Sequence, residues 1–451
     1  MNENRTSSPG LKYHIAVVSV MVFFGMLLLA LVDIRRGFLF ADYFKIGSPS
    51  VLLNLNLAHL LLLFVGVLGV WLTYRYLTKA EKDLKSQGIR LDSFVKVMAI
   101  VIGALLVVDL FTYRGVPASR TMAAGNMSVG TGPMGLGRAI AVASLPDWLQ
   151  PFAEGINYML IVWHATTLGI LLGGLFLTAG SAMAIKLSRP GFGTHVAGAA
   201  TAMAQPFCSC CAAPVGAALY RRGASLGPVL AFTVSAPMLN ITSLVLAAAL
   251  LPAKYALLRI AGGIIVAVLA TYLVSLIGSR WVQQDGTGVR HGQVFAWTSN
   301  LLTAYSRLFH FEKFLVDRGA DSPSVFIKNW LSTAGRLARV VVPLFAVFSV
   351  LAAYAVKAMP ASGNNLLGVG VTSFFATVLM APTWTEIPLA AKLINEGLTG
   401  MAATLLITLP AVSLPCLAII GGAVRSLKIA ALLGLVVFAA GILAGVIFLN
   451  V

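Results

Sequence analysis

An all-α polytopic membrane protein, with about nine transmembrane helices plus two re-entrant helical hairpins in an inverted repeat, is the architecture this sequence predicts. Three observations lead to it. Hydrophobic residues make up 59% of the 451 positions and charged ones only 10%, too few charges for a soluble chain of this size. Runs without Asp, Glu, Lys or Arg cover 15–32, 155–185, 190–220, 223–253, 260–279, 358–385, 397–424 and 429–449. A helix needs about 20 apolar residues to cross the hydrocarbon, and in lipid its backbone groups must be satisfied within the segment. Third, one stretch returns 174 residues later with a proline and a glycine in register.

Full spans are expected near 14–33, 51–74, 96–113, 155–181, 226–251, 256–278, 338–357, 399–422 and 428–449. The first lacks a cleavage site and is read as a retained span. Their orientation follows the basic loops. Arg75, Lys79, Lys82, Lys85, Arg90 and Lys96 follow the second span and place that link in the cytoplasm. The next link is glycine-rich and poor in charge, and is expected outside. Lys186 and Arg189, the eight Lys and Arg residues from Arg280 to Arg339, and Arg425 with Lys428 mark later returns to the cytoplasm. The units are then N-terminal spans 1–113, an external loop 114–153, a first repeat 154–279, a cytoplasmic linker 280–337 and a second repeat 338–451. The net charge of +17 is read as topology and contact with anionic membrane lipid. No aromatic-basic module for nucleic acid is present. The expected location is the plasma (inner) membrane.

Two segments do not fit as full spans. The orientation count closes only if 193–222 enters and leaves on the cytoplasmic side and 367–395 on the outer side, the mark of inverted repeats. The stretch "PVGAALYRRGASLGPVLAFTVSAPMLN" from Pro214 aligns with "PLAAKLINEGLTGMAATLLITLPAVSL" from Pro388, with Gly223 opposite Gly397. Pro206, Pro214, Gly223 and Pro237 break the first copy; Pro382, Pro388, Gly397 and Pro410 break the second. Proline ends the hydrogen-bond ladder and glycine permits the tight return. From Phe192 to Pro206 a helix is about 22 Å long, short of a bilayer of about 30 Å.

Candidate site residues gather in these broken segments. Cys208, Cys210 and Cys211 lie in "AQPFCSCCAAPVG"; thiolates select soft, thiophilic species over hard cations. Their spacing is poor for structural zinc, so a metal is left open and no cofactor is expected. Cys416 is the fourth thiol. Glu386, between Pro382 and Pro388, and Asp109, in the third span, are acids inside apolar runs. Such acids mark substrate or proton sites. Asn240 follows a proline break and can hydrogen-bond across helices. Substrate binding is assigned to Cys208, Cys210, Cys211, Asn240 and Glu386, and proton coupling to Glu386 and Asp109. Asn56, His59 and His164 read as bundle packing.

The motif "PFCSCCAAPVGAALYRRGASLGPVLAFTVSAPMLN" resembles the predicted permeases of the YraQ/ArsP type, a family that includes organoarsenical efflux permeases. The family pattern is a proline, C-S-C-G, a second proline, a glycine turn and an S/A-P-x-x-N signature. Here these are Pro206, Cys208-Ser209-Cys210, Pro214, Gly223 and Ala236 to Asn240, with Cys211 in place of the glycine. The resemblance covers residues 155–449. It implies a secondary permease exporting a small thiophilic solute such as a trivalent organoarsenical. No phosphate-binding loop for ATP is present, so protons are the simplest energy source. The expected partners are a small-molecule or metalloid substrate and membrane lipids, with homo-oligomerisation left open. The competing classes are a membrane thiol-redox enzyme, and a channel or structural membrane protein.

Overall fold

The computed structural model describes residues 9–40, 44–46, 53–124, 140–179, 181–203, 207–284, 320–357, 363–379 and 386–450. Pro206, Pro382, most of the 280–337 linker and residues 125–139 of the expected external loop lie outside the described residues.

Helix α1 (Leu11–Arg36) ends at Gly37, whose left-handed φ of 60° closes the last turn, with Arg35 and Arg36 at the negative end of the helix dipole. A short antiparallel ribbon, β1 (Phe44–Ile46) with β2 (Leu53–Leu55), precedes α2 (Leu57–Ser86). Asn56 and His59 form a capping box at the start of α2. The second span therefore begins at Leu57 rather than 51, and the basic residues from Arg75 to Lys85 ride on its last turns. α3 (Asp92–Ala124) completes a three-helix unit around α1.

The next seven helices are α4 (Gln150–Ala179), α5 (Ser181–Lys186), α6 (Phe192–Met203), α7 (Ser209–Arg221), α8 (Leu226–Met238), α9 (Ile241–Leu250) and α10 (Ala253–Ile264). A π-helical stretch, Ile265–Ala270, continues α10 into α11 (Thr271–Gln284). After the linker come α12 (Pro323–Lys357), α13 (Leu366–Val378), α14 (Glu386–Asn395), α15 (Thr399–Ala411), α16 (Leu414–Val424) and α17 (Leu427–Phe448). The charged turns 323–337, expected in the linker, are the first turns of α12.

Among the described residues nine segments are long and apolar enough to cross a membrane: α1, α2, α3, α4, the α8–α9 pair, α10 with α11, α12, the α15–α16 pair and α17. The chain is an all-α, multi-pass membrane protein. The two broken pairs stand at its centre. In their apolar windows 78% and 83% of residues are buried, against 33% or less in α1, α2 and α3. α8 and α15 pack on each other and are buried along almost their whole length. On one side α4 and α12 run together, with Gly174 meeting the backbone of Ala334, an approach that a side chain would prevent.

Apart from the six-residue α5, the remaining helices come in two short pairs, α6 with α7 and α13 with α14. The helices within them have 10 to 13 residues, about 15–20 Å each. Each pair is closed at its base. Ser225, just after α7, donates from its backbone N to the carbonyl of Leu187, just before α6, at 2.9 Å. Asn364, just before α13, accepts from Gly400 N and donates to Thr399 Oγ1, both at 3.0 Å, just after α14. Each pair therefore returns to the place it left. The turns that follow the second helix of each pair are alike. Gly223 has φ 97° and Gly397 φ 75°; both glycine amides donate three residues back, to Tyr220 and Ile394, at 3.0 Å. The next amides, of Ala224 and Leu398, reach the carbonyls of Leu219 and Leu393. All these partners stand 174 residues apart.

Candidate functional site

Two junctions in the buried centre bring the site residues together. In each, the start of a short helix from one half lies against the break in a central helix of the other half.

The first junction is α7 on the α15–α16 break. Pro410 lies in the last turn of α15, Val412 and Ser413 are extended, and Pro415 opens α16. This halts the helical ladder for two residues at the centre of a span. Ser209, the first residue of α7, shares a hydrogen bond of 3.1 Å with Ser413, and both side chains are buried. Cys208 precedes it, half-buried and extended in backbone. Cys416, one turn into α16, is buried in the same hydrophobic cluster that Cys208 packs against. Both thiols are reduced. Cys210 and Cys211 continue in the first turn of α7; their side chains lie outside the described residues.

The second junction is α14 on the α8–α9 break. Pro237 lies in the last turn of α8. Asn240 then caps α9: its Oδ1 accepts from Thr242 N at 2.9 Å and Thr242 Oγ1 at 2.6 Å. Glu386, the first residue of α14, is buried, and Arg259 of α10 is fully buried beside it. One guanidinium nitrogen, Arg259 Nη2, donates both to Glu386 Oε1 and to the carbonyl of Pro237, at 3.2 Å each. One arginine thus ties the short helix to the break. Removing two charges from water costs several kcal/mol per ion, roughly, and mutual attraction offsets this only with good geometry. This contact is made through a single nitrogen and not the two-pronged fork an arginine can form.

Comparison with known proteins follows the same boundaries. Residues 152–449 match a family model described as a predicted permease, ArsP_1. That match takes in both junctions and every helix from α4 to α17. The chain belongs to this permease family. Among curated proteins it is similar to UPF0718 protein YraQ of Escherichia coli, 27% identical over 322 residues, covering 69% of this chain and 84% of that protein. It is also similar to UPF0718 protein MJ0584 of Methanocaldococcus jannaschii, 28% identical over 287 residues, covering 53% of this chain and 78% of that protein. No solved structure matches.

Within the permease, Cys208 and Cys416 share one junction, while Glu386 and the Pro237–Asn240 break belong to the other. Asp109 joins neither. It lies buried on α3 and accepts at 2.9 Å from His164 Nε2 of α4, whose ring packs on Tyr113. The expected packing role of His59 becomes a specific one: it donates at 2.7 Å to buried Asp33, which also accepts from the amides of Phe38, Leu39 and Phe40. Glu81 links the N-terminal unit to the permease core, accepting from Tyr13 Oη, Ser324 N and Ser324 Oγ. Among the described residues no group of three His, Cys, Asp or Glu is arranged to hold a metal ion. Arg259 is the site residue that sequence reasoning missed. It sits one turn inside a span and resembles a boundary charge; the available signal was its place within an otherwise uncharged 256–278 segment.

Proposed function

We propose that the protein is a secondary permease of the inner membrane that exports a small thiophilic solute, such as a trivalent organoarsenical, by alternating access around two re-entrant hairpins. The hairpins are α6–α7 and α13–α14, in two halves of inverted topology: residues 154–279, entered from the cytoplasm, and 338–451, entered from outside. The 280–337 linker lies in the cytoplasm and 114–153 outside. The observation that carries this reading is the reciprocal docking. Ser209 at the start of α7 bonds Ser413 in the other half, and Glu386 at the start of α14 is tied through Arg259 to Pro237 in the first half. Two short helices closed at their bases and seated on broken spans are what a mid-membrane substrate site requires, because broken backbone is tolerated there only where it is buried or lines a cavity.

In this reading Cys208, Cys210 and Cys211 offer sulfur to a soft centre, which they bind after losing their protons. Asn240 orients the solute. Glu386 is the proton carrier, with Asp109 as a second acid on the α3–α4 interface. A cleft of about 890 Å³ at the base of the first hairpin, bordered by Tyr220, Arg221, Ser225, Tyr272 and Arg425, supplies the cytoplasmic approach. Membership in the permease family and the similarity to the UPF0718 proteins support transport. The test is binding and flux of phenylarsine oxide on purified protein, in detergent and in proteoliposomes carrying a proton gradient. Cys208→Ser with Cys210→Ser should lose binding. Glu386→Gln should bind and fail to respond to the gradient. Parental binding and flux in the cysteine variant would overturn the thiol assignment.

A further inference from the structure

The second junction holds more hydrogen-bonding capacity than the protein uses. An arginine carries five N–H donors and no acceptor. Among the described residues Arg259, fully buried, engages only Nη2; its Nε and Nη1 have no partner. Among the described residues Asn240 Nδ2 and Ser235 Oγ, within three residues of Pro237, and Ser243 Oγ of α9 and Tyr255 Oη of α10 are also buried without partners. Asn240 Oδ1 is already taken by Thr242, so what the asparagine has left is donors. Leaving a buried donor unmet costs about 1–3 kcal/mol, and more on a charged group. Unmet polar groups on helices that meet at one break therefore call for an occupant. These atoms belong to α8, α9 and α10, the elements that meet at Pro237, whose carbonyl Arg259 touches.

The unmet capacity is mainly that of donors, with a permanent positive charge among them. An acceptor-rich anion satisfies it; a cation or an apolar solute does not. The start of α9, ten residues long, points its amide dipoles into the same break. Glu386 is the anion present, and it meets Arg259 through one oxygen at 3.2 Å. Among the described residues α8, α9 and α15 contribute no ionisable side chain here, and α10 contributes Arg259, Tyr255 and Lys254, whose ammonium lies 5.5 Å over the Tyr255 ring. Glu386 is thus the sole acid facing the arginine.

We infer that the α8–α9 break is an oxyanion subsite for the transported solute, in which Arg259 is the recognising residue and Glu386 the built-in competitor. An arriving oxyanion takes the guanidinium donors. Glu386 is displaced from Arg259 and leaves with a proton taken from the open side. Solute and proton then occupy the junction together, and the charge at the buried site stays balanced throughout. The inference rests on the permease reading of the two junctions and adds to it the charge of the solute; it does not depend on the thiols.

Methanesulfonate serves as the probe, because it stays a monoanion across ordinary pH and does not react with thiols. Dimethyl sulfone is its neutral counterpart of similar size. Binding to the full-length protein in detergent is measured by calorimetry at pH 8 and pH 5.5. The parent should bind methanesulfonate weakly at pH 8 and several-fold more tightly at pH 5.5. Glu386→Gln should bind at least tenfold more tightly than the parent at pH 8 and lose the pH dependence. The double variant Arg259→Gln with Glu386→Gln, neutral and close in shape to the native pair, should bind no better than dimethyl sulfone does. Elution as a single symmetric peak in size exclusion confirms its fold. If the double variant binds methanesulfonate like Glu386→Gln, or if Glu386→Gln gains nothing over the parent, the inference is overturned and the unmet donors only hold water. Phenylarsine oxide binding on the same variants reports the thiol junction separately. Its retention where methanesulfonate fails leaves the thiol reading standing, and its loss in the cysteine variants leaves the oxyanion subsite untouched.

Discussion

Where α7 meets the α15–α16 break, two hydroxyls meet, Ser209 and Ser413, and Cys208 and Cys416 belong to the same hydrophobic cluster. Where α14 meets the α8–α9 break, the partners are an ion pair, Arg259 with Glu386, and the arginine also donates to the carbonyl of Pro237. The frames are the same, with a proline in the last turn before the break, a short helix beginning on it, and a positive-φ glycine closing that helix 174 residues from its counterpart. One frame carries soft, weakly polar chemistry and the other a buried ion pair. Geometry is thus set by backbone breakers, while chemistry is set by what stands at the first turn of the short helix and on the span behind it. Two matched frames can carry different chemistry at those few positions without disturbing the turn that closes either short helix.

The largest expected difference between the junctions is their sensitivity to losing one partner. Arg259→Met strands the buried Glu386 carboxylate and should cost about 3–5 kcal/mol. Adding Glu386→Leu should restore most of the loss. Apparent melting temperatures of the detergent-purified single and double variants measure this, and equal losses in both would show that the two charges do not depend on each other. Next come the shared turns. Gly223→Ala and Gly397→Ala each place a side chain at a left-handed φ and should each cost about 1–2 kcal/mol. Similar melting shifts would support the matched frames, and a shift in only one would break the comparison. Smallest is the neutral junction. Ser209→Ala and Ser413→Ala should each cost about 1 kcal/mol, and the double variant little more than either, since one hydrogen bond is lost in every case. Additive losses in the same assay would mean that the two hydroxyls do not serve each other.

Much of this organisation is legible in the sequence for a physical reason. Span length is imposed by bilayer thickness, so uncharged runs map onto the long helices, as with 429–449 and α17. Proline and glycine act locally, so the breaks at Pro237 and Pro410 and the turns at Gly223 and Gly397 can be read one residue at a time. Partner choice is another matter. Arg259 and Glu386 are 127 residues apart, and nothing local to either names the other. Asp109 and His164 find each other across 55 residues, so a histidine that reads as packing turns out to be the hydrogen-bond partner of a buried acid. The first turns of α12 read as linker because they carry Lys328, Arg336 and Arg339. They are helical because their apolar face packs on α4, with Trp330 Nε1 bonded to the carbonyl of Leu171 at 2.9 Å.

The central claim is that the tip of each short helix pair docks on the break of the opposite half. It is tested most directly by joining one tip to its break. Cysteines placed at 209 and 413, in a background without the four native cysteines, should form a disulfide under mild oxidation, since the native hydroxyls stand 3.1 Å apart. With a protease site inserted in the 285–319 segment, cleavage should leave the two halves joined on a non-reducing gel and separate them on a reducing one. Halves that separate without reductant after full oxidation, while a control pair within one half still crosslinks, would contradict the reciprocal docking.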